Sequence, residues 1–567
     1  MVKKFIVFSI LLVACVPDSW GSGYSEPTAF PFADGASPQA VDASARLRQI
    51  VADGKLPELR WPDFSDYRAH VQNFYQPTDY ALAWIGNGQP TSQALSIIEI
   101  LKRSDQYGLN PEDYDAPRWS DRVNRLTESH DAADEAIFDA SVTVCLMRFI
   151  SDRRIGRVNP QHFKFGLNVE VKKYDLPTFL REKLVSISDV GAEIANIGPP
   201  FNGYKRTLVA LQQYLELAKK DDGEKLAVPA KPIAPGNPYE SLPRLSRLLR
   251  LVGDLPADAN LPADTQVYGG PLVDAVKKFQ ARHGLSPDGK LGAETIRNMN
   301  VPLAQRVEQL RLTLERWHWL PYQFVLPPVV VNIPEFRLRA FDGTGQVALG
   351  MNVIVGKAYR HRTPVFERDM KFLVFRPYWN VPPSIQRSEI VPAVVKDRDY
   401  IAKKNFEVVT QGGQFVTAGT IDDDVLAQLR AGKLAVRQKP GPNNALGLVK
   451  FMFPNEYNVY LHSTPSQQLF SQARRDFSHG CIRVEKPAEL AAWLLRSKPE
   501  WSLDKIQDAM KSGKDNVQIN LTTPVPVLII YGTAVVDPDG EVKFFDDIYG
   551  YDDELEKVLA KGYPYPG

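Results

Sequence analysis

Residues 460–484, YLHSTPSQQLFSQARRDFSHGCIRV, hold two of the chain's eight histidines and one of its three cysteines. A cysteine attacks as its thiolate, which a neighbouring imidazole can generate at neutral pH. Cys481 lies nineteen residues after His462 and directly follows Ser478-His479-Gly480. Gly480 allows close backbone approach to a substrate carbonyl, so the amides of Gly480 and Cys481 are expected to form an oxyanion hole. Packing explains a single histidine or cysteine, but poorly explains three such residues in so short a stretch. His462, His479 and Cys481 have the right atoms for zinc. Zinc sites, however, usually draw their ligands in two close pairs, and only His479 and Cys481 are close here. The pattern favours nucleophilic catalysis with no metal and no cofactor.

Elements must hold these groups in place. In the run from Val459 to His462, Tyr460 and His462 share one face of a strand and Val459 and Leu461 the other. Arg483, two residues past Cys481, falls on the Cys481 face if that segment is extended. Strand-like alternation begins after Pro328, in VVVNI and FRLRAF, and continues through MNVIVG, KFLVF, NVYLH, PVPVLIIYG and GEVKFF. A β-rich domain over 327–567 is therefore expected. It is interrupted at 384–437 by a stretch that reads as mixed helix and loop, a candidate lid. The acidic segment FDDIYGYDDELEKV reads as a solvated face.

The preceding half is helical. Segments such as SQALSIIEILKRSDQYGLNPEDY and AIFDASVTVCLMRFISDRR repeat apolar residues every three or four positions, which predicts a helical scaffold over 24–218. Cys145, among Val144, Leu146 and Met147, reads as a buried thiol. Residues 219–240 are polar and proline-rich, as a linker would be. A small helical unit over 241–300 follows. Its Ala275-Val276, Phe279-Gln280, His283-Gly284-Leu285, Asp288-Gly289, Gly292 and Thr295 resemble the common peptidoglycan-binding domain. Residues 301–326 form a connecting helix, with Leu303, Val307, Leu310, Leu314 and Trp317 on one face, expected to pack on the scaffold.

His462, a gap, then Ser478-His479-Gly480-Cys481 resembles the signature of the L,D-transpeptidases; VIVGKAYRHRTPVF and FRPYWNVPPSI are similar to further segments of their catalytic domain. The order, His before Cys, is not that of papain-like enzymes, and the caspase Gln-Ala-Cys is absent. The layout is similar to the large Gram-negative members of the family. The resemblance implies a multidomain α+β protein with a β-sandwich-like catalytic domain. It implies Cys481 as nucleophile, His462 as base, Ser463 orienting His462 or else only capping the turn before Pro465, and His479 shaping the site. Ser478 and Arg483 would meet substrate, Arg483 by pairing with a carboxylate or else serving only in a surface ion pair. Tyr378 and Trp379 would line the cleft or pack in the core. Many family members carry Asn where this chain has Arg483, although the large subgroup also uses Arg. The implied reaction forms 3–3 cross-links from a tetrapeptide donor through a thioester, with release of D-alanine. Peptidoglycan stem peptides are the implied partner, and carbapenem β-lactams the implied inhibitors. Attachment of an outer-membrane lipoprotein to the wall, L,D-carboxypeptidation and a non-catalytic wall-binding scaffold are the alternatives.

The first 23 residues read as an export signal, with Lys3 and Lys4 ahead of an apolar run. Leu12-Val13-Ala14-Cys15 resembles a lipoprotein box that would place a lipid anchor on Cys15; Ser19-Trp20-Gly21 offers ordinary cleavage instead. Either route predicts a periplasmic protein. Lysine plus arginine, 68, balances aspartate plus glutamate, 67, so nucleic acid is not an expected partner. Three cysteines exclude a disulfide scaffold.

Overall fold

The computed structural model describes residues 38–129, 131–167, 174–261, 266–358 and 361–565, with the side chains of 38–42 left aside. The export signal, Cys15 and residues 359–360 of the VIVGKAYRHRTPVF segment lie outside them. Among the described residues, no helix is long and apolar enough to cross a membrane.

The first unit is helical and centres on Ala132–Arg154, a 23-residue helix with apolar residues buried all round it. Asp131 caps its start by accepting from Ala133 N–H. Cys145 is buried in this core, and burial pushes its thiol up. Near the end of the described chain, Tyr563 donates to the Asp152 carboxylate and Tyr565 to Asp113 at 2.8 Å, tying a distant segment to this unit.

The helix Asn202–Ala218 buries its apolar face elsewhere. It packs with the connecting helix Leu303–Trp317 and the hairpin Ala534–Val536/Val542–Phe544. The connecting helix also reaches the first unit, where Glu315 accepts from Arg157 N–H at 2.7 Å and Val158 N–H at 3.0 Å.

The small helical module comprises Leu242–Leu251, Pro271–Arg282 and Ala293–Met299. Gln280 holds its turn together. Its Nε2 donates to Asp288 and Thr295 and its Oε1 accepts from Gly289 N–H, so the residues that carried the resemblance form one cluster. The segment 219–240 does not hang free. Leu226 and Tyr239 are buried in the module's core, and Ile233 bridges to Leu291, because these apolar residues have a face to join.

The sheet of the β-rich domain has nine strands in the order Asp476–Ser478, Val347–Gly356, Ile482–Val484, Leu461–His462, Val449–Met452, Phe366–Phe375, Val517–Ile530, Val329–Asn332, Arg337–Phe341. Arg337–Phe341 also pairs with Val347–Gly356, closing the sheet on itself. Its core gathers Val329, Val331, Leu338, Met351, Leu373, Phe451, Leu461 and Ile482.

Two expectations are corrected. The insertion is not only helix and loop: it carries the strands Phe406–Thr410, Phe415–Thr417 and Leu434–Gln438, which join Trp379–Asn380 in a four-stranded sheet around a separate core. Its strands are short and its helices frequent, so neither period persists in the sequence. The acidic segment is also more than a solvated face. Asp552, at the start of the helix Tyr551–Leu559, is buried against Arg316 at 2.5 Å, and Asp547 accepts from Tyr551 and Asp552 N–H at the helix start.

Candidate active site

Leu461–His462 pairs in parallel with Ile482–Val484, with Leu461 opposite Ile482 and His462 opposite Arg483. Ile482 N–H donates to Tyr460 O at 3.1 Å, which extends this pairing to the residue before His462. Alternation then puts Leu461, Ile482 and Val484 into the core and leaves Tyr460, His462, Cys481 and Arg483 on the opposite face. Lys450, opposite His462 on the antiparallel neighbour, flanks the same row.

His462 is buried, and its Nδ1 donates to Ser463 O at 2.6 Å. This bond selects the tautomer with Nε2 unprotonated. Burial, then the Arg483 charge, pushes the imidazole pKa down to about 3, so the ring is neutral. Ser463 thus orients His462 through its carbonyl, while its hydroxyl packs against Gly447. Gly447 sits at φ +62°, and any Cβ there would collide with the Ser463 side chain.

Burial also raises the Cys481 thiol; hydrogen bonding from Tyr460 and the Arg483 charge act in the opposite sense. The thiol lies 3.7 Å from Asn458 O. Among the described residues no hydrogen bond joins His462 to Cys481. Tyr460 stands between the two functions, hydrogen-bonded to the thiol and edge-on to the His462 ring at 5.8 Å.

The loop before Cys481 is braced internally. Ser478 is buried, donates to Cys481 O at 2.5 Å and accepts from Gly480 N–H at 3.1 Å. Ser478 therefore supports the loop rather than facing substrate, and the Gly480 N–H is already engaged. The Cys481 N–H makes no hydrogen bond among the described residues. Gly480 adopts φ +115°, a conformation open to glycine. Its carbonyl accepts from the Thr363 hydroxyl at 2.8 Å.

His479 is exposed. Its Nε2 lies 2.7 Å from Glu389 Oε1, on the π-helical turn Gln386–Ile390 of the insertion, and its ring is 4.8 Å from that of His361. Arg483 Nε is buried with no hydrogen-bond partner. Tyr378 and Trp379 stand at the root of the insertion, Tyr378 under the Arg437 guanidinium and Trp379 against Phe406. Core packing accounts for Trp379. Among the described residues there is no cluster of three or more metal-binding side chains.

Sequence reasoning left out Tyr460, Lys450, Thr363 and Glu389 as site residues. Tyr460 was within reach, since alternation already put it on the His462 face. Thr363 and Glu389 meet the loop only through long-range folding and leave no local signal.

Three family models match the chain: the L,D-transpeptidase catalytic domain over residues 328–527, a scaffold domain over 69–211, and the "Putative peptidoglycan binding domain" over 244–299. A "Putative L,D-transpeptidase" of Haemophilus influenzae is 32% identical over 227 residues, covering 40% of this chain and 45% of the relative, so the match spans under half of that relative's length. A crystal structure of the L,D-transpeptidase from Xylanimonas cellulosilytica aligns over 54% of this chain and 100% of that one, at 14% identity and a TM-score of 0.17, too low to bear on the fold. The three domain matches follow the order of the three folded units, and residues 328–527 match the L,D-transpeptidase catalytic domain.

Proposed function

We propose that the chain is a cysteine-dependent L,D-transpeptidase of the cell envelope that forms 3–3 peptidoglycan cross-links. The observation that carries this reading is the parallel register of Leu461–His462 with Ile482–Val484, which puts Cys481 and a neutral, tautomer-fixed His462 on one face. Catalytic hydrogen bonds often tighten only when substrate arrives, so the open His462–Cys481 geometry fits a resting site.

Burial holds both groups neutral, which favours proton transfer during attack over a preformed thiolate–imidazolium pair. Cys481 Sγ attacks the carbonyl carbon of the third stem residue as its proton passes to His462 Nε2. The oxyanion draws on Cys481 N–H, the amide left without an internal partner. Collapse breaks the bond to the terminal D-alanine, whose amine leaves with the proton from His462, and a thioester remains. The side-chain amine of a neighbouring stem then attacks. It gives its proton to His462, which returns it to Cys481 as the thiolate leaves.

The test is mass spectrometry of products from disaccharide-tetrapeptide, with Cys481→Ala as control. A cross-linked dimer lacking one D-alanine, absent in the control, is the expected result. Tripeptide alone would replace this reading with L,D-carboxypeptidation, and unchanged tetrapeptide with a wall-binding scaffold.

A further inference from the structure

A cleft of about 1370 Å³ lies between the small helical module and the catalytic sheet, and neither His462 nor Cys481 lines it. Gln280, Leu285 and Thr295 line it from the module, and Arg337, Asn352 and Arg475 from the catalytic domain. It is larger than the 300–1,000 Å³ usual for a small-molecule pocket, as suits an extended ligand.

Several charges along this cleft are matched, while Asp288, Lys290, Glu294 and Asp546 line it outside any ion pair among the described residues. Arg339 forks onto Glu335 at 2.5 and 2.6 Å, Lys543 meets Asp537, and Arg474 meets Asp476 at 2.7 Å. Two guanidiniums in it also lack an ion-pair partner. Arg337 and Arg475 converge on one neutral oxygen, Asn352 Oδ1, at 3.3 and 3.4 Å. Glu485 lies close but engages Asn352, accepting from its N–H at 3.0 Å and from Nδ2 at 3.2 Å. Neither arginine has a carboxylate within 4 Å among the described residues. Arg475 Nε is buried with no hydrogen-bond partner. Burial first, then the Arg337 charge, pushes the Arg475 guanidinium down to about 10.

The two converging guanidiniums repel one another, an effect that Glu485 and Glu335 offset only in part, and a carboxylate is the ligand whose geometry answers both. The floor of the cleft also leads to the nucleophile. Arg475 O accepts from Val355 N–H at 3.0 Å, and the chain continues through Asp476–Ser478 to Cys481.

We propose that this cleft is a second peptidoglycan-contacting site, in which Arg337 and Arg475 together bind a free carboxylate of a stem peptide on a strand lying along the small helical module. This rests on reading the chain as a peptidoglycan enzyme.

The test uses the full chain carrying Cys481→Ala, so that binding is read without turnover. Disaccharide-tetrapeptide with free carboxylates is titrated by calorimetry beside the same compound with its carboxylates amidated. Arg337→Gln with Arg475→Gln should weaken the free acid by about 10-fold and leave the amidated compound unchanged, as loss of a charge-assisted bidentate contact requires. Equal affinities before and after the double change would overturn the proposal. If the double variant does not fold, Arg475→Lys keeps the charge and loses the fork, and an unweakened titration there overturns the proposal. Absence of turnover by the unmodified chain would refute the enzyme reading separately, since the titration needs none.

Discussion

The Thr363 hydroxyl donates to the Gly480 carbonyl at 2.8 Å, one residue before Cys481. The same oxygen accepts from Gly356 N–H at 2.9 Å, while Tyr549 donates to Gly356 O at 2.6 Å and accepts from Thr363 N–H at 3.1 Å. One buried hydroxyl thus clamps the Cys481 loop to the end of the strand Val347–Gly356. Thr363→Val would strand a buried N–H and a buried carbonyl at about 1–3 kcal/mol each. Acylation by a carbapenem, followed by mass spectrometry, should slow about 10-fold or more at temperatures where the variant is still folded, and Thr363→Ser should restore it.

His462 links stability to acidity. Unfolded, its imidazole binds a proton near pH 6.5; folded, it does so only near pH 3. Between these values the unfolded chain holds the extra proton, so stability falls as pH drops, by at most about 1.4 kcal/mol per pH unit from this one group. Denaturant titrations from pH 7 to 4 should show a shallower loss for His462→Gln than for the parent. An equal slope would show that the ring titrates normally.

The same neutrality bears on rate. Carbapenem acylation should keep its base unprotonated down to pH 5, where an imidazole of ordinary pKa would cost about 30-fold. Iodoacetamide labelling of Cys481 should still be climbing with pH beyond the ordinary thiol range, because burial raises the thiol.

Gly447→Ala should act at a distance. The added methyl would enter the Ser463 side chain at a backbone conformation that alanine resists, displacing the carbonyl that holds His462. The expected result is a fall in kcat that persists at temperatures where circular dichroism shows the variant folded.

Glu389 and His479 join the insertion to the Cys481 loop, and both are solvent-accessible. Glu389→Ala should change stability by less than about 1 kcal/mol. If the insertion excludes water from the thioester, the proportion of tripeptide to cross-linked dimer should rise; an unchanged ratio, in this variant and on deletion of residues 384–437, would remove the lid from the mechanism.

Periodicity and spacing made much of this molecule legible. The long helix around Cys145, the connecting helix, and the alternating strands each follow a period sustained over enough residues to read. Cys481 and His462 stood out as candidates because rare reactive residues stood together. What escaped was long-range. Ser478 looked like a substrate contact until its hydroxyl was found closing its own loop, and the insertion's strands were too short to declare themselves. Arg316 and Asp552, 236 residues apart, turn a stretch of acidic sequence into buried structure.

The bonds from Tyr563 to Asp152 and from Tyr565 to Asp113 set a timetable. These partners lie 411 and 452 residues apart. At about 5–20 residues per second, the ribosome needs on the order of 20–90 s to make the second of each pair after the first. Until then the helical unit holds Asp152 through Tyr114 and Asp113 through Trp61, each carboxylate one donor short. Its final consolidation therefore follows synthesis of the catalytic domain, and a chain stalled within that domain leaves the helical unit unfinished.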